Sequence, residues 1–208
     1  MLKIKANAKI NLFLEITGKL DNGYHTVDTI MQSVSLSDRL DISLAPKSEG
    51  ITILCNVSGI PTDERNIAYK IARAYFDRIG ADCGAVISID KNIPSEAGMG
   101  GGSADGAAVL WGLNDLCGDA LDYGSLVSLA AEKGADIPFC IKGGTQRLQG
   151  IGAEPIAEYN SPELPLVIVK PDCGVSTPLA YRCLDSMFGD FFNHFSYAKS
   201  LHGISSKW

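Results

Sequence analysis

The chain has 208 residues, 46% hydrophobic and 20% charged, a balance that suits one large or two small domains with a buried core and argues against disorder. A formal net charge of −6 argues against a nucleic-acid surface, which needs a basic stripe. No apolar run reaches the length of a membrane helix, and Met1-Leu2-Lys3-Ile4-Lys5 lacks the apolar stretch of a signal peptide, so a cytoplasmic protein with neither nucleic-acid nor membrane partners is expected.

Residues 3–16 read as a strand, with Ile10, Leu12 and Leu14 alternating with Asn11, Phe13 and Glu15, and Phe13 predicts burial on both faces. Lys9 lies within it between Ala8 and Ile10, where a lysine that snorkels from a strand edge is the reading the residues alone favour. Asp21-Asn22-Gly23 signals a turn. Tyr24-His25 follows, an aromatic ring beside an imidazole; the pair can stack on a flat ring and read its edge, or simply sit at the surface of a turn. Further strands are predicted over 39–45 and 51–57. A helix is predicted over 66–79, capped by Asn66, with Ile67, Ile71, Tyr75 and Ile79 along one face.

Residues 85–90 alternate as a strand and lead into residues 94–106, PSEAGMGGGSADG, where four of five consecutive positions are glycine. Glycine tolerates unusual φ/ψ and exposes consecutive N–H groups, and a helix N-terminus adds positive partial charge. Ser103 is the predicted N-cap of a helix through Ala107, Ala108, Leu110, Trp111 and Leu113, so the order is strand, Gly-rich loop, helix. That order favours a phosphate cradle over a plain flexible turn. It is neither of the two common phosphate loops: GxxxxGK[ST] is absent, and Ser103 stands where GxGxxG needs its third glycine.

A second helix is predicted over 124–133, stopped by Gly134, before Gly134-Ala135-Asp136-Ile137-Pro138-Phe139. The apolar setting makes the Asp136 carboxylate costly unless it is paired, although a turn or cap aspartate explains it equally well. A lysine such as Lys9 is the kind of partner that would keep it ionised and usable as a base. Two hairpin-like strands follow around Gly143-Gly144 and Gly150-Ile151-Gly152. Residues 162–165 read as a linker to a strand over 166–169, dividing the chain into domains 1–162 and 163–208. Tyr181 is either a helix-core tyrosine or a second stacking ring. The six cysteines contain no CxxC pair and read as buried free thiols, and His25, His194 and His202 show no metal-ligand spacing.

Ala8-Lys9-Ile10-Asn11-Leu12, PSEAGMGGGSADG and Gly134-Ala135-Asp136-Ile137-Pro138-Phe139, in this order, resemble the GHMP kinase superfamily, and the similarity runs from Met1 to about Asp185. The resemblance implies an α+β, two-layer α/β fold with an N-terminal nucleotide-binding domain, a second domain, and ATP with Mg²⁺ bound in the cleft between them. AKINLFLEITGK followed by DNGYHTVDTIMQS is similar to a member that phosphorylates the tertiary 2-hydroxyl of a cytidine-diphosphate-linked methylerythritol in the non-mevalonate isoprenoid pathway. It implies Asp136 as catalytic base and Lys9 as its partner. The ATP loop would be Pro94, Ser95, Glu96, Ala97, Gly98, Met99, Gly100, Gly101, Gly102, Ser103 and Ala104. Tyr24 and His25 would hold the cytosine against an opposing ring at Tyr181, and Asn11 would contact substrate. Kinases of other small alcohols, such as homoserine or mevalonate, fit less well because those substrates carry no cytosine.

The chain departs from that pattern at Gln146, where alanine is usual, and at Ala153 after Gly152, where glycine-glutamate is usual. The late Gly/Ser-rich third motif is missing, and residues 189–208 no longer look like the superfamily. The expectation is therefore an incomplete second domain, a poorly anchored tail and weakened turnover, or at the extreme a nucleotide-binding remnant.

Overall fold

The computed structural model describes residues 1–161 and 163–194, with side chains through Met187. Strand β1 (Leu2–Lys19) turns back through Asp21-Asn22-Gly23, where Gly23 takes φ +86° and its N–H bonds the Leu20 carbonyl at 2.9 Å, into β2 (His25–Pro46). The two strands pair antiparallel from Leu2 opposite Ile42 to Lys19 opposite His25, with register shifts after Asn7, Asn11 and Ile16. β2 is the spine of the sheet. Its C-terminal half also pairs with β4 (Cys83–Asp90), and its N-terminal half with β5 (Thr145–Gln149), which continues to β6 (Glu154–Tyr159). β3 (Ile51–Cys55) lies parallel to β4, as a crossover through α1 (Ile67–Ile79) requires.

Four helices cover one face of this mixed sheet: α1, α2 (Gly101–Leu116), α3 (Tyr123–Ala131) and α4 (Ile137–Lys142). Between them and the sheet lie Leu40, Ile42, Ile87, Ile71, Tyr75, Leu110, Leu113 and Leu129, each essentially inaccessible to solvent. Burying a side chain of this size is worth about 1.5–3 kcal/mol. Two glycines of α2 permit the close approach: a Cβ on Gly106 would come within 2.8 Å of Ile67 Cγ2, and one on Gly112 within 2.7 Å of Ile42 Cδ1. The Asn66 side chain caps α1 by accepting from the Ala68 N–H at 2.8 Å, as its sequence position suggests. The last described element, α5 (Thr177–His194), reaches back to β1.

Several expectations are corrected. Leu12, Phe13 and Leu14 are 49%, 44% and 53% exposed, so this half of β1 is not buried on both faces. Ser103 does not cap α2: the helix begins at Gly101, and the capping position is Gly100 in the left-handed region, leaving Ser103 as the third helical residue. α3 starts one residue before the predicted helix and ends two before it, because Asp122 is its cap, accepting from Ser125 N–H at 2.7 Å. Residues 166–169 form no strand despite their β-branched composition; Val167 and Val169 are 93% and 85% exposed, and among the described residues no strand pairs with them. All six cysteines are free, but none is fully buried, and Cys173 and Cys183 are exposed. The domain boundary at Pro162 falls outside the described residues, as do residues 195–208 of the expected tail, whereas its first residues, 189–194, continue α5.

Candidate functional site

The loop between β4 and α2 forms one wall of a cleft of about 950 Å³, whose other walls come from β1, β2, Asp136 and the segment leading into α5. Glu96, Gly98 and Gly100 all take positive φ, at 53°, 69° and 66°, a succession of left-handed turns that glycine makes cheap at the last two and that Glu96 adopts against its side chain's preference. Buried Met99 pins the loop, and its carbonyl accepts from the Lys9 N–H at 3.0 Å. Gly100 lies directly on the Lys9 stem, since a Cβ there would stand 3.0 Å from Lys9 Cγ. Gly101, Gly102 and Ser103 then open α2 and line the cleft. N–H groups in a first helical turn lack an intrahelical acceptor, and the helix dipole adds to them, so the wall favours an anion.

Lys9 is inside the protein and not at a strand edge. The register shift after Asn7 lets consecutive Ala8 and Lys9 both be buried, the lysine side chain only 8% exposed. Its ammonium donates to Asn11 Oδ1 at 2.8 Å and lies 3.6 Å from Asp136 Oδ2. The Asn11 amide is fixed in turn, donating to Thr29 Oγ1 at 2.7 Å while the Thr29 hydroxyl donates to the Phe13 carbonyl at 2.7 Å. Asp136 occupies the capping position of α4 without making a side-chain cap bond, and its carboxylate is about one-third exposed to the cleft. It is a cleft carboxylate paired with a buried ammonium, with one side left for a proton donor. Burial first, and the Asp136 charge second, raise the Tyr181 phenol.

His25 and Tyr181 do not stand opposed across a gap for a base, as expected, but are in contact: their rings stack at 4.6 Å between centroids and 18° between planes. His25 is buried, and its Nε2 shares a 2.7 Å hydrogen bond with Asp185 Oδ1, whose other oxygen takes the Lys19 ammonium at 2.6 Å. Lys19, then His25, hold the Asp185 carboxyl below the usual carboxylate range. The structure thus gathers Lys9, Asn11, Glu96, Ala97, Gly98, Met99, Gly100, Gly101, Gly102, Ser103, Asp136 and Tyr181 around one cleft, with His25 behind Tyr181. Tyr24 stays 62% exposed on its turn, and Pro94, Ser95 and Ala104 do not line the cleft. Gln146, at a position where the resemblance leads one to expect alanine, is buried and donates to the Gly143 carbonyl at 2.8 Å.

Two features escaped sequence reading. The segment after β6 crosses the Gly-rich loop: Val175 N–H bonds the Glu96 carbonyl at 3.0 Å, and Gly174 lies so close to Glu96 that a Cβ would overlap its side chain. Beneath the loop, Lys91 bridges Asp38 on β2 and Asp105 on α2 in a nearly inaccessible cluster. Lysine and aspartate spaced 14 and 53 residues apart carry no local signal; only the fold makes them neighbours.

A scan against family models matches residues 66–144 to the GHMP kinases N terminal domain. The chain is 45% identical over 189 residues to the 4-diphosphocytidyl-2-C-methyl-D-erythritol kinase of Clostridium acetobutylicum, covering 88% of this chain and 66% of that one. It is 44% identical over 201 residues to the protein of the same name from Desulfitobacterium hafniense, covering 97% of this chain and 67% of the relative. A crystal structure of 4-(cytidine 5'-diphospho)-2C-methyl-D-erythritol kinase superposes with a TM-score of 0.68 at 32% identity, covering 87% of this chain and 63% of that one. The chain spans about two thirds of the length of the curated relatives it matches.

Proposed function

Because the chain belongs to the 4-diphosphocytidyl-2-C-methyl-D-erythritol kinase family of GHMP kinases, we propose that it transfers the γ-phosphoryl group of ATP to the 2-hydroxyl of 4-diphosphocytidyl-2-C-methyl-D-erythritol. The observation that carries this reading is the Lys9–Asp136 pair, 3.6 Å apart and set against the Gly-rich loop in a single cleft. An alcohol is a poor nucleophile at neutral pH, so a carboxylate must accept its proton as the O–P bond forms. Asp136 takes that proton, and the Lys9 ammonium, 3.6 Å away, favours the developing alkoxide. Asn11, locked by Thr29, presents its amide beside the ammonium and orients the acceptor.

ATP fits the loop on physical grounds: left-handed glycines bring backbone close to the cleft, and the site at Gly102 is open but for Ile67 Cγ1 at 4.0 Å. The amides of Gly101, Gly102 and Ser103 would hold its phosphates. Among the described residues no group of three or more His, Cys, Asp or Glu could hold a metal ion, so Mg²⁺ would arrive on the nucleotide phosphates, neutralising their charge. Tyr181, backed by the stacked His25 ring, would present the aromatic wall for the cytosine, with Tyr24 closing over it from the turn.

In the same reading, 1–162 forms the nucleotide-binding domain, 163–208 begins the second, and the chain works in the cytoplasm. No helix among the described residues is long and apolar enough to cross a membrane. Separate calorimetric titrations with ATP and with the diphosphocytidyl substrate, followed by a coupled ADP-release assay, test the proposal. Binding of both ligands and substrate-dependent ADP release are expected; failure to bind the cytidine substrate would defeat the substrate assignment.

A further inference from the structure

The cluster under the Gly-rich loop holds two carboxylates and one ammonium, and all three side chains are almost sealed from water. With both acids ionised it carries a net charge of −1, which is costly in such a place unless each oxygen is bonded. Asp38 is well served: Oδ2 takes Lys91, and Oδ1 accepts from the Asn92 and Ile93 N–H groups at 2.6 and 2.8 Å. Asp105 is not. Its Oδ2 takes Lys91 at 2.8 Å, but its buried Oδ1 has no hydrogen-bond partner among the described residues. A proton gained by the cluster therefore goes to Asp105.

The cluster also touches the loop. A Cβ built on Gly101, the first residue of α2, would stand 3.1 Å from the Lys91 Nζ, so the ammonium forms the floor on which the loop enters its helix. Around Asp105, β2 contributes Asp38, and Lys91 is the residue that follows β4. On α4, Cys140 is within electrostatic reach of Asp105, Asp136 and Lys9, and α1 packs against neighbouring Gly106 through apolar Ile67.

Resting on the reading of the loop as a nucleotide site, we propose that Lys91, Asp38 and Asp105 position the phosphate-binding loop, and that seating nucleotide phosphates there is coupled to uptake of one proton by Asp105. The coupling follows from charge: ionised Asp105 leaves a net negative cluster under a polyanion, and protonated Asp105 leaves it neutral. Burial pushes the Asp105 carboxyl up to about 7, against the pull of Lys91, so the group exchanges protons at working pH. Linkage is reciprocal, so nucleotide affinity falls as pH rises through that region.

Isothermal titration calorimetry of ATP at pH 7, in buffers of different ionisation enthalpy, reads the proton count. The same titration of Asp105→Asn subtracts the titration of the nucleotide and of every other group. The wild-type chain should take up about 0.3–0.5 more proton per ATP than the variant, and between pH 6 and 8 its affinity should fall about three- to tenfold more steeply. Equal proton uptake in the two proteins overturns the proposal. Should the variant fail to fold, infrared difference spectroscopy of the wild-type chain at pH 7.5 must show a protonated-carboxyl band gained on adding ATP, and its absence overturns the proposal equally. ATP binding without differential uptake sinks this inference alone, whereas no ATP binding at any pH sinks the nucleotide reading with it.

Discussion

Replacing Gly102 with valine would place a branched side chain in the first turn of α2, where it lines the cleft. The backbone there is not left-handed, and a Cβ would meet only Ile67 Cγ1 at 4.0 Å, an ordinary contact. Glycine is among the worst helix formers and valine is intermediate, so Gly102→Val should leave stability within about 0.5 kcal/mol of wild type. Nucleotide binding should respond differently, because the added side chain occupies the space through which phosphate reaches the Gly101 to Ser103 amides. Losing one charge-assisted hydrogen bond costs about 1.5–3 kcal/mol, or about 10- to 100-fold in affinity. Gly101→Val is the contrast: its Cβ would come within 3.1 Å of both Lys91 Nζ and Ile93 Cγ2, adding about 1–3 kcal/mol of overpacking to any binding loss. Thermal melts with separate ATP and cytidine-substrate titrations distinguish the two variants. Unchanged ATP affinity in Gly102→Val, or equal loss of both ligands, would refute the phosphate role of the loop.

Lys9→Ala and Asp136→Asn should each lower kcat by about 10²- to 10⁴-fold, and the double variant by much less than the product, since the pair acts as a unit; steady-state kinetics on all three checks this. His25→Ala should weaken binding of the cytidine substrate by about 1–3 kcal/mol while sparing ATP, which paired titrations would reveal. Asn66→Ala removes the cap of α1 and should cost about 1–2 kcal/mol in denaturant unfolding with unaltered ligand affinities. Asp105 binds its proton more tightly folded than unfolded, with its carboxyl raised from 3.8 to about 7. Its contribution is therefore fully present below about pH 4 and is lost as pH rises through about 7, by up to about 4 kcal/mol. Melts of Asp105→Asn should accordingly decline less between pH 5 and 8 than those of wild type.

How far the residues disclose the molecule depends on the range of the force involved. Local signals were legible: the Asn66 cap, the Asp21-Asn22-Gly23 turn, and the strand, loop and helix around the glycines all stand where the chain's own chemistry puts them. The first half of β2 was hidden because buried Asp28 and Thr29 interrupt its alternation, and only the fold supplies Arg147 and Gln149 to satisfy Asp28. Arg147 foremost holds that carboxyl low. The 166–169 segment shows the reverse, apolar residues with strand propensity and no ladder to join. Lys9 alone reads as a snorkelling lysine; a bulge that no propensity foretells turns it inward. The stacking of His25 on Tyr181 and the cluster under the loop join residues tens to more than a hundred positions apart, beyond the reach of any periodicity.

The central claim, that Asp136 accepts the proton of an alcohol held beside the Gly-rich loop, is tested most directly by following phosphorus. The chain is mixed with ATP, Mg²⁺ and 4-diphosphocytidyl-2-C-methyl-D-erythritol, and ³¹P NMR monitors ADP and a new phosphomonoester resonance, for wild type and Asp136→Asn side by side. Both signals should grow in equal amounts with wild type, and at least about a hundredfold more slowly with the variant, whose melting curve and ATP affinity stay close to wild type. A variant that forms the phosphomonoester at the wild-type rate, or a wild-type chain that binds both ligands and forms none, would contradict the account.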